Sequence, residues 1–507
     1  MKPKVSEVIA LLQENHLLTE QSLGGLSGDR ELSDITFDNR GATEGSLFIC
    51  KGAAFKVEYL LSAFEKGAVL YVAETPFCDS LPYLLVSDIR LAMSRLAAFF
   101  FAEDAKDVIK VGITGTKGKT TVALFLNAVL DSYCAKQYSK KSGLLSSLYI
   151  YDGRDRLPAK LTTPEAIELW HHLSTMGENT LPFATCEVSS QALKYHRVGD
   201  VLFEIALFLN IGNDHISEVE HPDFEDYFAS KLSLFEHAKI ACINSESEKL
   251  DEILAAAKKA SCRVTTFGFS VNDTLYCSQF ERIGNAVELT VSYQNEPSET
   301  YTLSLFGKHN VENALAAILC AKLLCVDRDA IYQGLLHATV EGRGEELSTD
   351  DGRVRVIVDY AHNGMSLEAL YRYCESAYPD YRVITLFGCP GGKAKNRRED
   401  MGRLAAKHSD LVILTEDDPA NEPLSDIFAE IAYYLDRENT PYLTVDDRGQ
   451  AIATAFEKCF DKTVILLCGK GAEKAQKRGT CAVFYEGDSY FAKEQIAAYN
   501  RSILPVG

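Results

Sequence analysis

Apolar positions along the chain recur in two rhythms. The opening stretch MKPKVSEVIALLQENHLL spaces them as one face of an amphipathic helix. SDITFD, GSLFIC and GAVLYVAE then read as short strands, and the apolar helix LAMSRLAAFFFAED closes a first block, residues 1–106. From 107 to 338, compact apolar runs alternate with helical patterns, in the order DVIKVGIT, TTVALFLNAVL, LPFATCEVSS, VLFEIALFLNI and KIACIN. The alternation resumes over 339–507 with RVRVIVDYA, RVITLFG, DLVILTE and TVILLCGKG. Strands alternating with helices predict mostly parallel sheets covered on both faces, hence an α/β fold of three domains. In the second and third blocks, polar and glycine-rich segments follow directly on strands. Open α/β sheets bind ligands at the carboxyl ends of their strands, so these segments are the candidate sites.

Length agrees with this division, because 507 residues make three domains at roughly 150 residues each. The net charge of −20 is spread along the chain and argues against nucleic acid as a partner, which calls for basic stripes. No apolar run approaches the roughly 18 residues of a membrane span, and charges interrupt the N-terminal pattern, so neither an anchor nor a signal peptide is expected. The cytoplasm is the expected compartment. The 14 cysteines show no zinc-like pairing and read as buried thiols in a reducing setting. Cys389, in GCPGG, is either a nucleophile or a small packing residue; no histidine lies near it in sequence, which favours packing.

The most informative turn is VGITGTKGKTT, residues 111–121. A strand, a glycine-rich turn and a helix together aim free backbone N–H groups at an anion. Gly115 and Gly118 let the backbone approach phosphate oxygens, Lys119 reaches the outer phosphates, and the Thr120 hydroxyl reaches Mg²⁺. Thr116, Lys117 and Thr121 complete the candidate phosphate-binding turn. The strict phosphate-loop pattern has four residues between its first glycine and the GK pair, whereas five separate Gly112 from Gly118 here.

GTKGKTT closely resembles the ATP loop of the Mur ligase family, and further motifs follow in family order. EVSSQALKYHR (187–197), NIGNDHI (210–216), YFASKLSLF (227–235) and GKHNVENALAA (307–317) lie in the second block. VEGRGEEL (340–347), VDYAHN (358–363), DRGQAI (447–452) and GKGAE (469–473) lie in the third. The N-terminal DITFDNRGATEGSLFIC resembles the uridine-nucleotide domain of the MurE branch. The resemblance therefore covers nearly the whole chain. It implies a uridine-nucleotide domain, a central ATPase domain of phosphate-loop type and a C-terminal Rossmann-like domain that binds an amino acid.

The implied reaction is ATP-dependent amide formation in bacterial peptidoglycan synthesis. The γ-phosphoryl of ATP activates a carboxylate of UDP-MurNAc-L-Ala-D-Glu as an acyl phosphate, and the amine of a third amino acid then attacks it. The resemblance makes Glu187 and His215 magnesium ligands, and makes Lys231 a residue carbamylated by CO₂ that helps hold the metal. By itself, a lysine in an amphipathic helix reads as a solvated charge. Asn310 resembles an adenine contact, while Arg343, Asp359, Asp447 and Arg448 resemble ATP contacts. Asp38, Asn39 and Arg40 stand where the family contacts uridine, with Asn39 replacing a serine. Thr162, Thr163, Ser189 and Arg197 match residues that hold the muramoyl-dipeptide, and GLLSSLYIYDG diverges from the family pattern near that pocket. Small molecules are thus the expected partners, and the chain is expected to be a monomer.

DDPANEP, residues 417–423, stands where the branch reads its incoming amino acid. Members that add meso-diaminopimelate carry an arginine where this chain has Ala420, and alanine cannot pair with a carboxylate. Asp417 and Asp418 instead suit an ammonium, which points to L-lysine or a similar diamino acid. Glu473 matches the residue that holds the α-amino group, and Lys393 or a neighbouring arginine takes the α-carboxylate. The alternatives are a diaminopimelate-adding member, a folylpolyglutamate- or cyanophycin-synthetase type of ligase, and a non-catalytic nucleotide-binding relative.

Overall fold

The computed structural model describes residues 2–52, 55–212, 216, 220–283, 286–294, 296–305, 307–340 and 342–503. The chain packs as two compact units. The first comprises residues 1–212, 225–276 and 315–334; the second comprises 213–224, 277–314 and 335–507. Residues 1–106 thus share a unit with most of 107–338, while 277–314 pack with the C-terminal block.

The first unit contains two sheets. A five-stranded sheet runs in the order Leu18–Ser22, Tyr83–Val86, Leu70–Ala73, Leu47–Ile49 and Ile35–Thr36. Its first pair is antiparallel and the others parallel. The amphipathic pattern at the N-terminus forms the helix Val5–Glu14, which buries Val5, Val8 and Leu12. Ile89–Phe101 is helical as its pattern predicts, and its N-terminus is capped by Asp88, which accepts from the Arg90 and Leu91 N–H groups. The second sheet has a parallel core of Ala238–Asn244, Phe203–Phe208, Ile109–Thr114, Phe183–Glu187 and Gly143–Leu145. Its strands are apolar without alternation because both faces are covered. The helix Lys119–Tyr138 follows the strand Ile109–Thr114 directly and is buried along most of its first three turns.

The second unit centres on a six-stranded sheet. Its order is Glu345–Ser348, Val354–Asp359, Thr463–Cys468, Arg382–Phe387, Leu411–Leu414 and Tyr442–Thr444, parallel except for the first pair. Alternate residues supply two separate cores: Ile357, Val412 and Leu466 face one, and Val356, Ile413 and Ile465 face the other. A hairpin of Ala475–Arg478 and Cys481–Phe484 follows the last long strand. The three larger sheets draw their strands from residues 18–86, 109–303 and 345–468.

Candidate active site

In the first unit, chemistry gathers where Ile109–Thr114 turns into Lys119–Tyr138. Gly118 caps the helix at φ 87°, a left-handed conformation that glycine adopts without strain. A Cβ at Gly115 would lie 2.9 Å from the Leu209 Cβ, so this position also needs glycine. The loop is held from outside: Asn210 Oδ1 accepts from the Lys117 N–H at 2.8 Å and Asn210 Nδ2 donates to the Lys117 carbonyl at 3.2 Å. The Thr116 hydroxyl is 3.0 Å from the Tyr227 hydroxyl and accepts from the Gly212 N–H at 3.0 Å. Thr121 is buried in the helix's first turn.

Two ammonium groups converge on one carbonyl of this loop. Lys119 Nζ donates to Gly115 O at 2.8 Å, and Lys231 Nζ donates to the same oxygen at 3.1 Å. Lys231 is 1% exposed and its ammonium lies 4.6 Å from the Tyr227 ring centre. The solvated charge that a lone helical lysine suggests is therefore not what the fold makes of it. The helix Phe224–Leu232 packs this face inward and carries the ammonium to the phosphate loop.

Beside them lies a buried carboxylate. Glu187 ends the strand Phe183–Glu187 and is fully buried. It accepts from Thr120 Oγ1 at 3.0 Å, from the Ser147 N–H at 2.8 Å and from Ser147 Oγ at 2.9 Å. Burial raises its pKa, against the opposing pull of the Ser147 N–H and the Lys119 charge. Hydroxyl and carboxylate oxygens are the donors a hard cation takes. Mg²⁺ characteristically uses only one or two carboxylates and completes its shell with water and phosphate. Thr120, Glu187 and Ser147 fit such an ion; His215, the other expected ligand, lies outside the described residues. Ser147 escaped the sequence reading because it sits in the divergent GLLSSLYIYDG stretch, where no motif marks it.

The expected dipeptide contacts also come together. Thr163 Oγ1 donates to the Glu187 carbonyl at 2.9 Å and accepts from the Ser189 N–H at 3.0 Å. Ser189 caps the short helix Ser190–Lys194 by accepting from the Ala192 N–H. Arg197 donates to the Thr163 carbonyl at 3.2 Å and pairs with Glu165 at 3.0 Å. Glu165 in turn pairs with Lys51 at 2.8 Å, tying the N-terminal sheet to this cluster. Thr162 is half-buried next to it. Asp38, Asn39 and Arg40 follow the strand Ile35–Thr36. Arg40 grips the Asp38 carboxylate and holds its pKa below the ordinary value, and Asn39 Nδ2 donates to Ser62 Oγ at 3.1 Å.

The second unit holds the remaining candidates. Asn310 is buried in the first turn of the helix that opens at Lys308, and its Oδ1 accepts from Asn313 at 3.2 Å. Asp359 ends its strand and accepts from the Gly344 N–H at 2.7 Å; burial raises its pKa against the pull of Arg343. The Arg343 guanidinium lies over the Tyr360 ring at 4.1 Å. Asp447 is half-exposed and caps the helix Arg448–Glu457. Arg448, expected to contact nucleotide, is fully buried. It pairs bidentately with Asp488 at 2.7 Å and donates to the Cys468 carbonyl at 2.8 Å. These bonds hold together the carboxyl ends of the strands and leave the guanidinium no solvent face.

Asp417, Asp418 and Glu473 do gather, but around an ammonium of the chain itself. Lys470 is fully buried, and its Nζ donates to Asp418 Oδ1 at 2.7 Å and Glu473 Oε2 at 2.9 Å and lies 3.7 Å from Asp417 Oδ1. Burial alone would lower the Lys470 pKa; the three carboxylates raise it. Burial pushes Asp417 up to about 6, with Asp418 and Glu473 adding repulsion and Lys470 and Arg448 opposing. Glu473 Oε1 accepts from the Tyr360 hydroxyl at 2.9 Å. Ala420 has φ 51°, and its N–H donates to the Lys477 carbonyl. Glu416, one residue before the cluster, forms a bidentate pair with Arg478 at 2.9 and 2.5 Å. Lys393 is exposed. Its neighbour Arg398 is buried against Glu422 and Glu430 at 2.8 Å and serves as an internal tie. Burial pushes the Cys389 thiol up to about 12, which leaves it in the packing role and not the nucleophilic one.

A phosphate loop on a parallel sheet, joined in one chain to a second doubly covered α/β unit, defines a multidomain nucleotide-dependent α/β protein. The chain matches the Mur ligase middle domain over residues 113–321 and the Mur ligase, glutamate ligase domain over 342–471. It is 35% identical over 485 residues to the UDP-N-acetylmuramoyl-L-alanyl-D-glutamate–L-lysine ligase of Enterococcus faecalis, covering 94% of each chain. It is 33% identical over 517 residues to the UDP-N-acetylmuramyl-tripeptide synthetase of Lactobacillus delbrueckii subsp. bulgaricus, covering 98% of this chain and 99% of that one. The fold is shared with a solved UDP-N-acetylmuramoyl-L-alanyl-D-glutamate–2,6-diaminopimelate ligase, at a TM-score of 0.65 and 22% identity over 98% of this chain and 99% of that one. It is shared also with Mycobacterium tuberculosis folylpolyglutamate synthase, at 0.61 and 16% over 75% of this chain and 92% of that one. The chain belongs to the Mur ligase family.

Proposed function

We propose that this protein is the ATP-dependent ligase that adds the third amino acid, L-lysine or a similar diamino acid, to UDP-MurNAc-L-Ala-D-Glu in peptidoglycan synthesis. The convergence of Lys119 and Lys231 on the Gly115 carbonyl, beside the Thr120–Glu187–Ser147 cluster, carries the reading. A lysine at a glycine-rich turn, with a buried hydroxyl–carboxylate cluster and a second buried amine beside it, suits a polyphosphate and its metal ion. The names of relatives at 33–35% identity along nearly the whole chain support the substrate.

The D-glutamyl carboxylate attacks the γ-phosphorus, releasing ADP and forming an acyl phosphate. The neutral amine of the amino acid then attacks the acyl carbon, releasing phosphate and leaving an amide. Phosphoryl transfer rests on positioning and charge neutralisation. The Gly115–Thr121 turn cradles the phosphates, and Lys119 neutralises charge on the outer ones. Thr120, Ser147 and Glu187 would hold Mg²⁺, which when bound neutralises the phosphoryl oxygens. Lys231, carbamylated by CO₂, supplies an anion on the same side and is kept from water by its burial. Asn310, Arg343, Asp359 and Asp447 are the nucleotide contacts of the second unit in this reading, and Arg448 braces them from behind. Asp38, Asn39 and Arg40 hold the uridine end, and Thr162, Thr163, Ser189 and Arg197 the dipeptide end. Asp417, Asp418 and Glu473 carry more negative charge than the Lys470 ammonium they share, and that surplus receives the ammonium groups of the amino acid, with Lys393 taking its carboxylate.

In this reading the protein acts in the cytoplasm as a monomer. No described helix is long and apolar enough to cross a membrane. Purified protein with ATP, Mg²⁺ and UDP-MurNAc-L-Ala-D-Glu is expected to release phosphate and yield the tripeptide mass with L-lysine or ornithine. Absence of product with these and with diaminopimelate overturns the proposal.

A further inference from the structure

The acceptor side of the second unit holds a carboxylate receptor that the chain itself keeps filled. Arg478 ends the strand Ala475–Arg478, and its backbone is bridged to Ala420. The Ala420 N–H donates to the Lys477 carbonyl and the Gly479 N–H to the Ala420 carbonyl, so the two segments are laced on both sides of Arg478. The same strand reaches the acid cluster, because the Lys477 N–H donates to Asp418 Oδ1 at 2.9 Å. The guanidinium is thus anchored one backbone away from Ala420 and one residue beyond Lys477, whose N–H contacts Asp418. A planar guanidinium is the side chain best matched to a carboxylate. Here both of its parallel donors meet Glu416, which is 4% exposed, while the Arg478 side chain is 48% exposed. Asp447 Oδ2 lies 3.9 Å from the same Arg478 Nη2 that meets Glu416. The receptor is therefore on the surface side of a pair whose carboxylate is internal.

We propose that the Glu416–Arg478 pair determines acceptor specificity by masking a guanidinium that would otherwise receive a second carboxylate on the incoming amino acid. The inference rests on the reading of the Asp417–Asp418–Glu473 cluster as the acceptor site. With the mask in place, that site presents net negative charge, and a side chain ending in a lone ammonium is accepted. One ending in both ammonium and carboxylate places its carboxylate near Asp418, where the Lys470 ammonium is already surrounded by three carboxylates. Removing the Glu416 charge exposes Arg478 to the acceptor and reverses that penalty. The half-exposed position of Arg478 lets it stand in solvent without its partner, so the charge can be removed without burying a lone cation.

The test compares kcat/KM for L-lysine and meso-diaminopimelate in wild type, Glu416→Gln, Arg478→Ala and the double variant, with Glu416→Ala as a second unmasking variant. Unmasking is expected to raise the diaminopimelate-to-lysine ratio roughly tenfold or more, the effect of one charge-assisted contact. The gain is expected to vanish in the double variant, and Arg478→Ala alone is expected to produce none. An unchanged ratio in both unmasking variants, in proteins that still melt cooperatively, overturns the mask. So does a gain that survives removal of Arg478. Failure of the wild type to use any diamino acid overturns the ligase reading itself, and is seen before any variant is compared.

Discussion

Asp417→Asn separates the electrostatic argument about the acceptor cluster from every argument about ligands. Asp417 is buried, and burial with the nearby Asp418 and Glu473 carboxylates holds its pKa at about 6 instead of the ordinary 3.8. A carboxyl that binds its proton more tightly when folded destabilises the folded state once it ionises. That penalty is absent below pH 3.8, grows as the pH rises, and is complete above about 6. The shift corresponds to roughly 3 kcal/mol. Asparagine keeps the shape of the side chain and cannot ionise. The stability of the variant relative to wild type is therefore expected to rise by roughly 3 kcal/mol between the acid and neutral ends, then stay level. Asp417 lies 3.7 Å from Lys470, and this attraction already opposes the shift. In a unit of this size the rise amounts to about 6–12 °C in melting temperature. Calorimetry of both proteins from pH 4 to pH 8 reads it, because all other titrations cancel in the difference. A difference that does not change with pH refutes the reasoning.

Three further outcomes follow from the geometry. Lys231→Ala removes the buried amine that CO₂ would carbamylate beside Gly115 and is expected to reduce turnover at least about 100-fold, with added bicarbonate failing to restore it; near-normal turnover removes the carbamate role. Ser147→Ala takes the hydroxyl from Glu187 and is expected to raise the half-saturating Mg²⁺ concentration roughly tenfold while leaving the KM for the UDP-substrate alone; a metal titration that overlays wild type refutes it. Arg448→Met leaves Asp488 buried and unpaired, which costs about 3–5 kcal/mol and lowers the melting temperature by roughly 10 °C. Arg448→Met with Asp488→Leu is expected to regain most of that loss, and a single variant that melts like wild type shows that the pair is not a brace.

Much of this protein was legible along the chain. A short apolar run, a glycine-rich turn and a helical pattern are local features, so the strand Ile109–Thr114, the loop and the helix Lys119–Tyr138 follow from neighbours in sequence. The same holds for the strands that end at Glu187 and Asp359, because a buried parallel strand needs an unbroken apolar run. Which charges meet is a different kind of question. Lys231 is one lysine in an amphipathic helix until tertiary packing removes its solvent and brings it to a carbonyl 116 residues away. Lys470 belongs to a glycine-rich turn whose motif says nothing of the three carboxylates around it, and Arg448 to a motif whose arginine packing has turned inward to Asp488. Ser147 and Arg478 carry no local mark at all, since their partners Glu187 and Glu416 lie 40 and 62 residues away. Local pattern decides where strands end and turns begin, because backbone preference and amphipathicity act between near neighbours. The pairing of buried charges depends on desolvation and on distances that exist only once the sheets have formed, so the tertiary structure alone decides which ones bind, which ones brace and which one stays masked.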